Sequence, residues 1–455
     1  MQSCDTLVIN KSCSVYGQNI LAKNSDRPTG EPQPLCFYEG KEYPEGTVLH
    51  TTYLDIPQVK KTYTVIGSRP YWIWGFEMGY NEMGLMIGNE AEWSRMEEDG
   101  EDGLLGMDLL RLGLERAATA REAIEVITAL LKQYGQKASA SMLKTRYYEN
   151  SFILADRDEC WVLETAGREW VAREIKDKQG VSNCYSIGKN FDKASENLEE
   201  IAREKRWLSP SEDFDFAKAY TGHVSNLSGG TQRYRRSNKL LAENELHDFS
   251  TLAAILRDHH EDELIAPRFG ATNATFASLC MHAGTWGASE TSASLLARYD
   301  EDLGIIARYA PAQACLSAYI PVYMTDLPET MQTAEKKFDK NSLWWQLKRL
   351  ALLVSIDEER FGADVRRELA SIERCFEDLA EQGESLAKKL IKDGKPDDAK
   401  EVLKTVTESC TERLYYLARQ EADKIAEAVK SFGGLYGRQK ETIEKYIEYS
   451  EIDLL

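Results

Sequence analysis

The 455-residue chain has little cysteine: nine residues, none of them in a Cys-x-x-Cys pair. That excludes a dense disulfide framework, a zinc ribbon and a paired-thiol redox motif. A reducing compartment is the simpler context, and a cytoplasmic location is expected. The N-terminus lacks a basic segment followed by an apolar run of signal length. No apolar stretch reaches eighteen residues, so neither an export signal nor a membrane-spanning helix is expected. The matches to a glycosylation sequon at Asn226-Leu227-Ser228 and Asn273-Ala274-Thr275 carry little without such a signal. Positive charge is scarce: 56 Lys and Arg against 75 Asp and Glu give a net charge of −19, which argues against nucleic acid or an anionic membrane as partner. The glycine pair in Ser228-Gly229-Gly230-Thr231 is not followed by Lys-Ser/Thr, so it is no phosphate loop, and no cofactor is expected. Histidine is also sparse. No His-Glu-x-x-His occurs, and the adjacent His259 and His260 would point to different helix faces, so together with the distant His282 they argue against a metal site. There is no internal repeat and no low-complexity segment.

What is present fits a globular protein, with 42% hydrophobic and 29% charged residues, and length alone suggests two or three domains. Alternating residues predict strands over 4–10 and 19–23, joined as a hairpin. Short β-rich runs follow at Tyr63–Gly67 and Tyr71–Phe76, the latter with Trp72 and Trp74 on one face. Asn81-Glu82-Met83-Gly84 reads as a turn before a strand at Leu85–Ile87, with Asn89 at its tip. Leu104 to Leu114 forms a helical block, and Thr119 with Glu122 opens a second helix. Strands at 152–155, 161–165 and 170–173 form a meander. Val181-Ser182-Asn183 leaves that sheet. Further strands are expected at Thr275–Met281, Ile305–Tyr309 and Cys315–Tyr323. Beyond Pro328 the composition turns to Glu, Lys, Ala and Leu. Phe361, Val365, Leu369, Ile372 and Phe376 mark one amphipathic helix, and Val402, Val406, Cys410 and Leu414 an antiparallel partner after a turn at 393–397. This helical hairpin suits packing on the rest of the chain, or a homo-oligomer contact. Pattern alone gives an α+β class.

The chemistry concentrates at Met1 to Pro28. Cys4 starts the first strand, and Lys23-Asn24-Ser25-Asp26-Arg27-Pro28 ends the second. If the Ser3–Cys4 bond is cut, Cys4 carries a thiol and a free α-amine on one carbon. A free thiol is a few per cent ionised near neutral pH, while an α-amine of pKa about 7.7–8.0 can accept its proton. One residue then supplies nucleophile and base. Taken singly, the candidates have plainer uses. Cys4 could pack in a strand, Asp26, Asn89 and Asn183 could be turn residues, and Arg233 could open a solvated basic helix.

The ordered set Cys4-Asp5-Thr6, Lys23 to Pro28, Gly79 to Glu90, Cys160 to Thr165, Ser182-Asn183 and Ser317 to Tyr323 resembles the secernin and peptidase C69 dipeptidase group. These are N-terminal-nucleophile hydrolases related to choloylglycine hydrolases and penicillin V acylases. The resemblance implies a four-layer αββα sandwich with a C-terminal helical hairpin. It implies a removed propeptide at 1–3, a catalytic domain at 4–325 and a helical extension at 326–455. It makes Cys4 the nucleophile, Asp26 its carboxylate partner, Asn89 and Asn183 oxyanion and substrate residues, and Arg233 the arginine near the nucleophile. Lys23, Asn24 and Asn81 become substrate-binding candidates. Lys23 stands where the acylases carry arginine, which removes the planar fork.

The expected function is a cysteine amidohydrolase, a dipeptidase cleaving small peptides through a thioester. Two alternatives remain: an N-acyl amide hydrolase of the choloylglycine or penicillin V acylase kind, and a non-catalytic, secernin-like regulatory protein.

Overall fold

The structure is a computed structural model and describes residues 3–96, 103–142, 145–209, 211–225, 228–263, 278–437 and 439–455. In chain order the strands are β1 (Cys4–Ile9), β2 (Ile20–Pro28), β3 (Leu35–Tyr38), β4 (Val48–His50), β5 (Asp55–Pro57), β6 (Val65–Ser68), β7 (Met78–Asn81) and β8 (Met86–Glu92). After helices α1 (Gly106–Arg116) and α2 (Ala120–Tyr134) come β9 (Glu149–Ala155), β10 (Cys160–Ala166), β11 (Glu169–Glu174), β12 (Lys178–Ser182) and β13 (Lys193–Ala194). Helices α3 (Leu198–Glu204), α4 (Phe216–Tyr220), α5 (Gly230–Ala242) and α6 (Phe249–Leu256) lead to β14 (Ser289–Asp300), β15 (Gly304–Pro311) and β16 (Ile320–Tyr323). The chain closes with α7 (Glu329–Gln332), α8 (Leu343–Ile356), α9 (Glu358–Lys392), α10 (Pro396–Ser431) and α11 (Lys440–Ser450).

Two large antiparallel sheets result, a six-stranded one in the order β12-β1-β2-β14-β15-β16 and an eight-stranded one in the order β13-β11-β10-β9-β8-β7-β6-β3, while β4 and β5 pair as a separate two-stranded sheet. The period of two along each strand sorts side chains between layers. Met86, Ile153, Ala155 and Val162 share a core with the six-stranded sheet, whereas the alternate residues Ile87, Phe152, Leu154 and Leu163 share another with α1 and α2. On the far side of the six-stranded sheet lie α5, α6 and the C-terminal helices, whose Leu241, Leu256, Trp344 and Leu414 join the same large core. Four layers therefore stack as helix, sheet, sheet, helix, the αββα sandwich that the resemblance implied.

The C-terminal hairpin is α9 and α10, with its turn where expected. Its buried stripe of Val365, Leu369 and Phe376 on one helix and Val406, Cys410 and Leu414 on the other faces inward. Thr407 Oγ1 donates to Pro321 O of β16 at 3.0 Å, and Arg257 and Arg308 reach Glu373 and Glu377 at 2.6 and 2.8 Å. α8 was not evident in the sequence because its polar residues Gln346, Lys348 and Arg349 are buried along with its apolar ones, so no solvent face sets up an amphipathic stripe. In α11 the Tyr446 hydroxyl accepts the Gly30 N–H at 2.8 Å and donates to Glu290, tying the last helix to the end of β2.

Several expected elements differ. Tyr71–Phe76 is not a strand: the N–H groups of Tyr71, Trp74 and Phe76 go to Pro32 O, Thr52 Oγ1 and Met107 O, three unrelated partners. Its Trp74 instead stacks on the Arg111 guanidinium, 4.1 Å from the ring centre. Residues 275–277 of the expected strand at Thr275–Met281 lie outside the described residues, and its described part, 278–281, is not strand. The strand at Cys315–Tyr323 is confined to β16, preceded by a short 3-10 turn at Ala314–Leu316. β14, central to its sheet, went unseen because Ser289-Glu290-Thr291-Ser292 hides any apolar alternation. β2 runs on to Pro28, so Asp26 sits inside a strand between β1 and β14 rather than at a turn.

Candidate active site

Cys4 is the first residue of β1 and is 4% exposed behind Ser3. The order β12-β1-β2 lays three candidates side by side, because Asp5 pairs with Ser182 and Cys4 with Ser25. The Cys4 backbone N–H donates to Asn183 Oδ1 at 2.8 Å. Its sulfur accepts the Asp26 N–H at 3.3 Å. Burial, opposed by Lys23 and reinforced by Glu90, Glu77 and Asp26, pushes the Cys4 thiol well above its ordinary pKa. The resting group is therefore a thiol and not a thiolate.

Asn183 is the hub. Its Oδ1 also accepts Arg233 Nη2 at 2.5 Å, and its Nδ2 donates to Ala91 O of the facing sheet at 2.8 Å. Arg233 in turn donates through Nε to Asp5 Oδ2 at 2.9 Å and through Nη1 to Ser228 O at 3.2 Å. The glycine pair makes this possible. Gly229 takes a left-handed φ of 73°, and a Cβ on Gly230 would sit 2.3 Å from Asn183 O, so only glycine lets the start of α5 abut Asn183. A buried Arg near a helix N-terminus works against the helix dipole, and Asp5 compensates it.

Asp26 points to the opposite face of its strand from Lys23. Its Oδ1 accepts the Thr291 hydroxyl at 2.7 Å, while Oδ2 has no hydrogen-bond partner among the described residues. Burial and then the charge of Asp5 push its carboxyl well above the usual range, so it can hold a proton. Burial likewise lifts Asp5 to about 6, with Arg233 opposing.

Lys23 lies on the Cys4 face of the sheet, but its ammonium is engaged by Glu90 at 3.2 Å and the Asn24 carbonyl at 3.4 Å. Burial works against its charge; the thiol, Glu90 and Glu77 outweigh it and hold Lys23 protonated. Asn89 is buried on the opposite face of β8 from Glu90. In one orientation its amide meets Asn150 Oδ1 at 3.1 Å; turned over, it donates to Glu77 Oε2 at 3.0 Å. Glu77 accepts from Arg27 Nη1 at 2.5 Å.

Two candidates are not brought to Cys4. Asn24 spends its Nδ2 on Leu256 O and Leu279 O at 2.7 and 2.8 Å, pinning α6 to the outer face. Asn81 donates to Leu114 O and Ala117 O, both at 2.8 Å, and its Oδ1 accepts from Met83 and Leu85, so it closes the β7–β8 turn against the end of α1. Both are strand or turn asparagines whose amides serve backbone groups.

A cleft of about 310 Å³ is lined by Trp93, Met96, Lys137, Tyr148 and His223 among others. Tyr148, one of its lining residues, lies in the field of Glu77, Arg27 and Cys4, while Cys4 itself does not line the cleft. The sequence did not single out Asp5, Glu77, Glu90 or Thr291. Asp5 had one available signal: period two places it opposite Cys4, where the buried partner of an arginine could stand.

A model of peptidase family C69 matches residues 3–236, just over half of the chain and beginning one residue before Cys4. The chain belongs to peptidase family C69. Among curated relatives, a dipeptidase of Bifidobacterium longum (strain NCC 2705) is 27% identical over 213 residues, 41% of this chain and 38% of that protein. A probable dipeptidase A of Streptococcus pyogenes serotype M18 (strain MGAS8232) is 26% identical over 201 residues, 41% of this chain and 40% of that protein. This C69 chain thus spans about two fifths of the length of the curated relatives it matches. Among solved structures, a mutant of conjugated bile acid hydrolase from Clostridium perfringens superposes with a TM-score of 0.39 at 14% identity, covering 68% of this chain and 89% of that one. Penicillin V acylase from Agrobacterium tumefaciens gives 0.40 at 14% identity, covering 71% and 87%.

The C69 chain also gathers side chains that sequence spacing had argued against. His259, Cys280, His282 and Cys315 converge in one buried cluster, while His260, at a left-handed φ of 64°, turns away to Glu263 at 3.2 Å. The one local signal was Cys280-x-His282, two residues on one face of an extended segment.

Proposed function

We propose that this chain is a cysteine amidohydrolase of the N-terminal-nucleophile type that cleaves dipeptides and other small peptides through a thioester at Cys4. The observation that carries the reading is the linkage Cys4 N–Asn183–Arg233–Asp5. It holds the nitrogen of Cys4 by a fixed acceptor, within the segment matched by the C69 model. While the Ser3–Cys4 bond is intact that nitrogen is an amide and no base. Once the bond is hydrolysed, releasing Met1 to Ser3, the same acceptor holds an amine with a lone pair to spare.

The thiol is pushed up by burial and needs that base. The sulfur–carbon bond forms at the substrate carbonyl as the thiol proton passes to the α-amine. The amine then protonates the leaving nitrogen as the carbon–nitrogen bond breaks. Water adds to the thioester, the carboxylate leaves, and the thiol is restored. In this reading the second Nδ2 hydrogen of Asn183 serves the developing oxyanion, where one donor is worth about 3–4 kcal/mol, and Asn89, turned to the other face of β8, acts only through Glu77. Asp26 and Arg233 position the nucleophile. Lys23 sets the local field through Glu90. The 310 Å³ cleft ending at Tyr148 suits a ligand of dipeptide size.

Intact-mass measurement with a substrate panel tests the proposal. The active chain should lack Met1 to Ser3, Cys4→Ala should retain them and be inactive, and dipeptides should be cleaved ahead of N-acyl amino acids. Activity in material that keeps Ser3, or a preference for acylated substrates, would overturn the mechanism or the substrate class respectively.

A further inference from the structure

Behind β2, on the side away from the eight-stranded sheet, four potential ligands come from three separate segments. His259 follows α6, Cys280 and His282 precede β14, and Cys315 lies in the short turn before β16. All four are buried, and one ligand atom from each lies within 4.8 Å of all the others. His259 Nε2 is 3.2 Å from His282 Nε2, which is 3.1 Å from Cys315 Sγ and 3.8 Å from Cys280 Sγ.

We propose that His259, Cys280, His282 and Cys315 form a closed, tetrahedral zinc site that braces the far side of the strand carrying Asp26. The edges fit. Zinc–nitrogen bonds of about 2.0–2.1 Å and zinc–sulfur bonds of about 2.3 Å set tetrahedral N–N edges near 3.3 Å and N–S edges near 3.6 Å. Three of the six edges, one N–N of 3.2 Å and two N–S of 3.1 and 3.8 Å, lie within about 0.5 Å of these values. Hydrogen bonding explains the convergence less well. His282 Nε2 has three close neighbours in the cluster, yet a single ring nitrogen can give one proton or accept one. A cation at the centre satisfies every inward lone pair at once.

Charge balance agrees. Two thiolates and two neutral imidazoles cancel the ion's charge, so the assembled centre can be buried without a net charge. The outer partner is also in place: His259 Nδ1 stands 3.0 Å from Glu261 Oε1, which fixes the proton there and leaves Nε2 to face the metal. A cavity of about 230 Å³, lined by His259, Glu261, Cys315 and Arg366, gives the ion a route in. Four protein ligands leave no position for substrate, which makes the site structural.

Its position says what it supports. Met281, between two ligands, accepts the Thr291 N–H at 3.0 Å and donates to Thr291 Oγ1 at 2.9 Å. Thr291 Oγ1 in turn donates to Asp26 Oδ1 at 2.7 Å. The centre therefore holds the residue that holds Asp26, and it does so whether or not Cys4 is a nucleophile.

Elemental analysis of the full-length protein, purified without chelator from cells grown without added metal, tests this directly. About one zinc per chain is expected. Cys280→Ser and His282→Ala should each lower that at least several-fold, while Cys4→Ala should leave it unchanged. Should the cluster variants fail to fold, wild-type protein exchanged into cobalt(II) gives a second readout. Intense visible bands with thiolate charge transfer mark tetrahedral sulfur and nitrogen ligation, again unchanged by Cys4→Ala. Wild-type protein that carries no stoichiometric metal and acquires no such spectrum would overturn the site, as would a Cys280–Cys315 disulfide found by mass in the native protein. Iron, copper or nickel at one per chain would overturn the assignment to zinc.

Discussion

Two centres of this molecule hold buried cysteine, one on each side of β2, and they are built from opposite materials. Cys4 faces a backbone N–H and the fields of Lys23, Glu90 and Glu77, with carboxylates and a guanidinium arranged behind its nitrogen. Cys280 and Cys315 face imidazoles and each other. Burial is nearly the same in both, so burial does not decide what a cysteine does. The company decides: an acceptor fixed on the cysteine's own nitrogen suits a nucleophile awaiting a base, and four convergent lone pairs suit an ion.

The comparison breaks most sharply at Cys4. Cys4→Ala should lower dipeptide hydrolysis by roughly 10⁴-fold or more in a rate assay, and a loss confined to a few-fold would remove Cys4 from the chemistry. Next comes the hub. Asn183→Ala strips the Cys4 nitrogen and Arg233 of a shared acceptor and removes a candidate oxyanion donor, so kcat/KM should fall by about 10²–10³-fold. Arg233→Lys keeps the charge but cannot reach Asp5 and Asn183 together. Losing one such bond, worth about 1.5–3 kcal/mol, should cost about 10- to 100-fold in kcat/KM.

A fourth expectation concerns pH. The Asp5 carboxyl rises from 3.8 to about 6 on folding, so between those values the folded chain binds more protons than the unfolded one. Stability contributed by Asp5 therefore falls as pH rises through that window and stays lost above it. Asp5→Asn should flatten the decline by up to roughly 3 kcal/mol, whatever it does to the overall level. Denaturant titrations at a series of pH values would show the slope. The smallest effect is expected at Cys375, which is exposed on α9. Cys375→Ser should leave activity, metal content and stability within about 0.5 kcal/mol of the parent, and a larger change would mean that cysteines outside both centres matter.

Much of this was legible in the chain itself. The pairing of β1 with β2 and the hairpin of α9 and α10 follow from alternation and amphipathic stripes, because those signals are local. The resemblance grouped Cys4, Asp26, Asn183 and Arg233; hydrogen bonds link the Cys4 nitrogen, Asn183 and Arg233, whereas Asp26 meets Cys4 through its backbone N–H and turns its carboxylate to Thr291. Asn24 and Asn81 drew attention by sitting in the right motifs, but an asparagine in a strand or turn is as readily spent on carbonyls, and only the fold shows where the amide points. β14 was hidden by small polar residues, although it is buried on both faces, and α8 by burying its Gln, Lys and Arg as well as its apolar residues. The His and Cys cluster left only the pair Cys280-x-His282 as a local trace. Its members come from segments far apart in sequence, so no spacing rule could unite them.

The contact between Tyr446 and Gly30 has a bearing on synthesis. During translation Gly30 precedes by 416 residues the hydroxyl that accepts its N–H. A chain cut ahead of α11 leaves the Gly30 N–H and the Glu290 carboxylate without that partner, so loss of a late helix is felt at the end of β2.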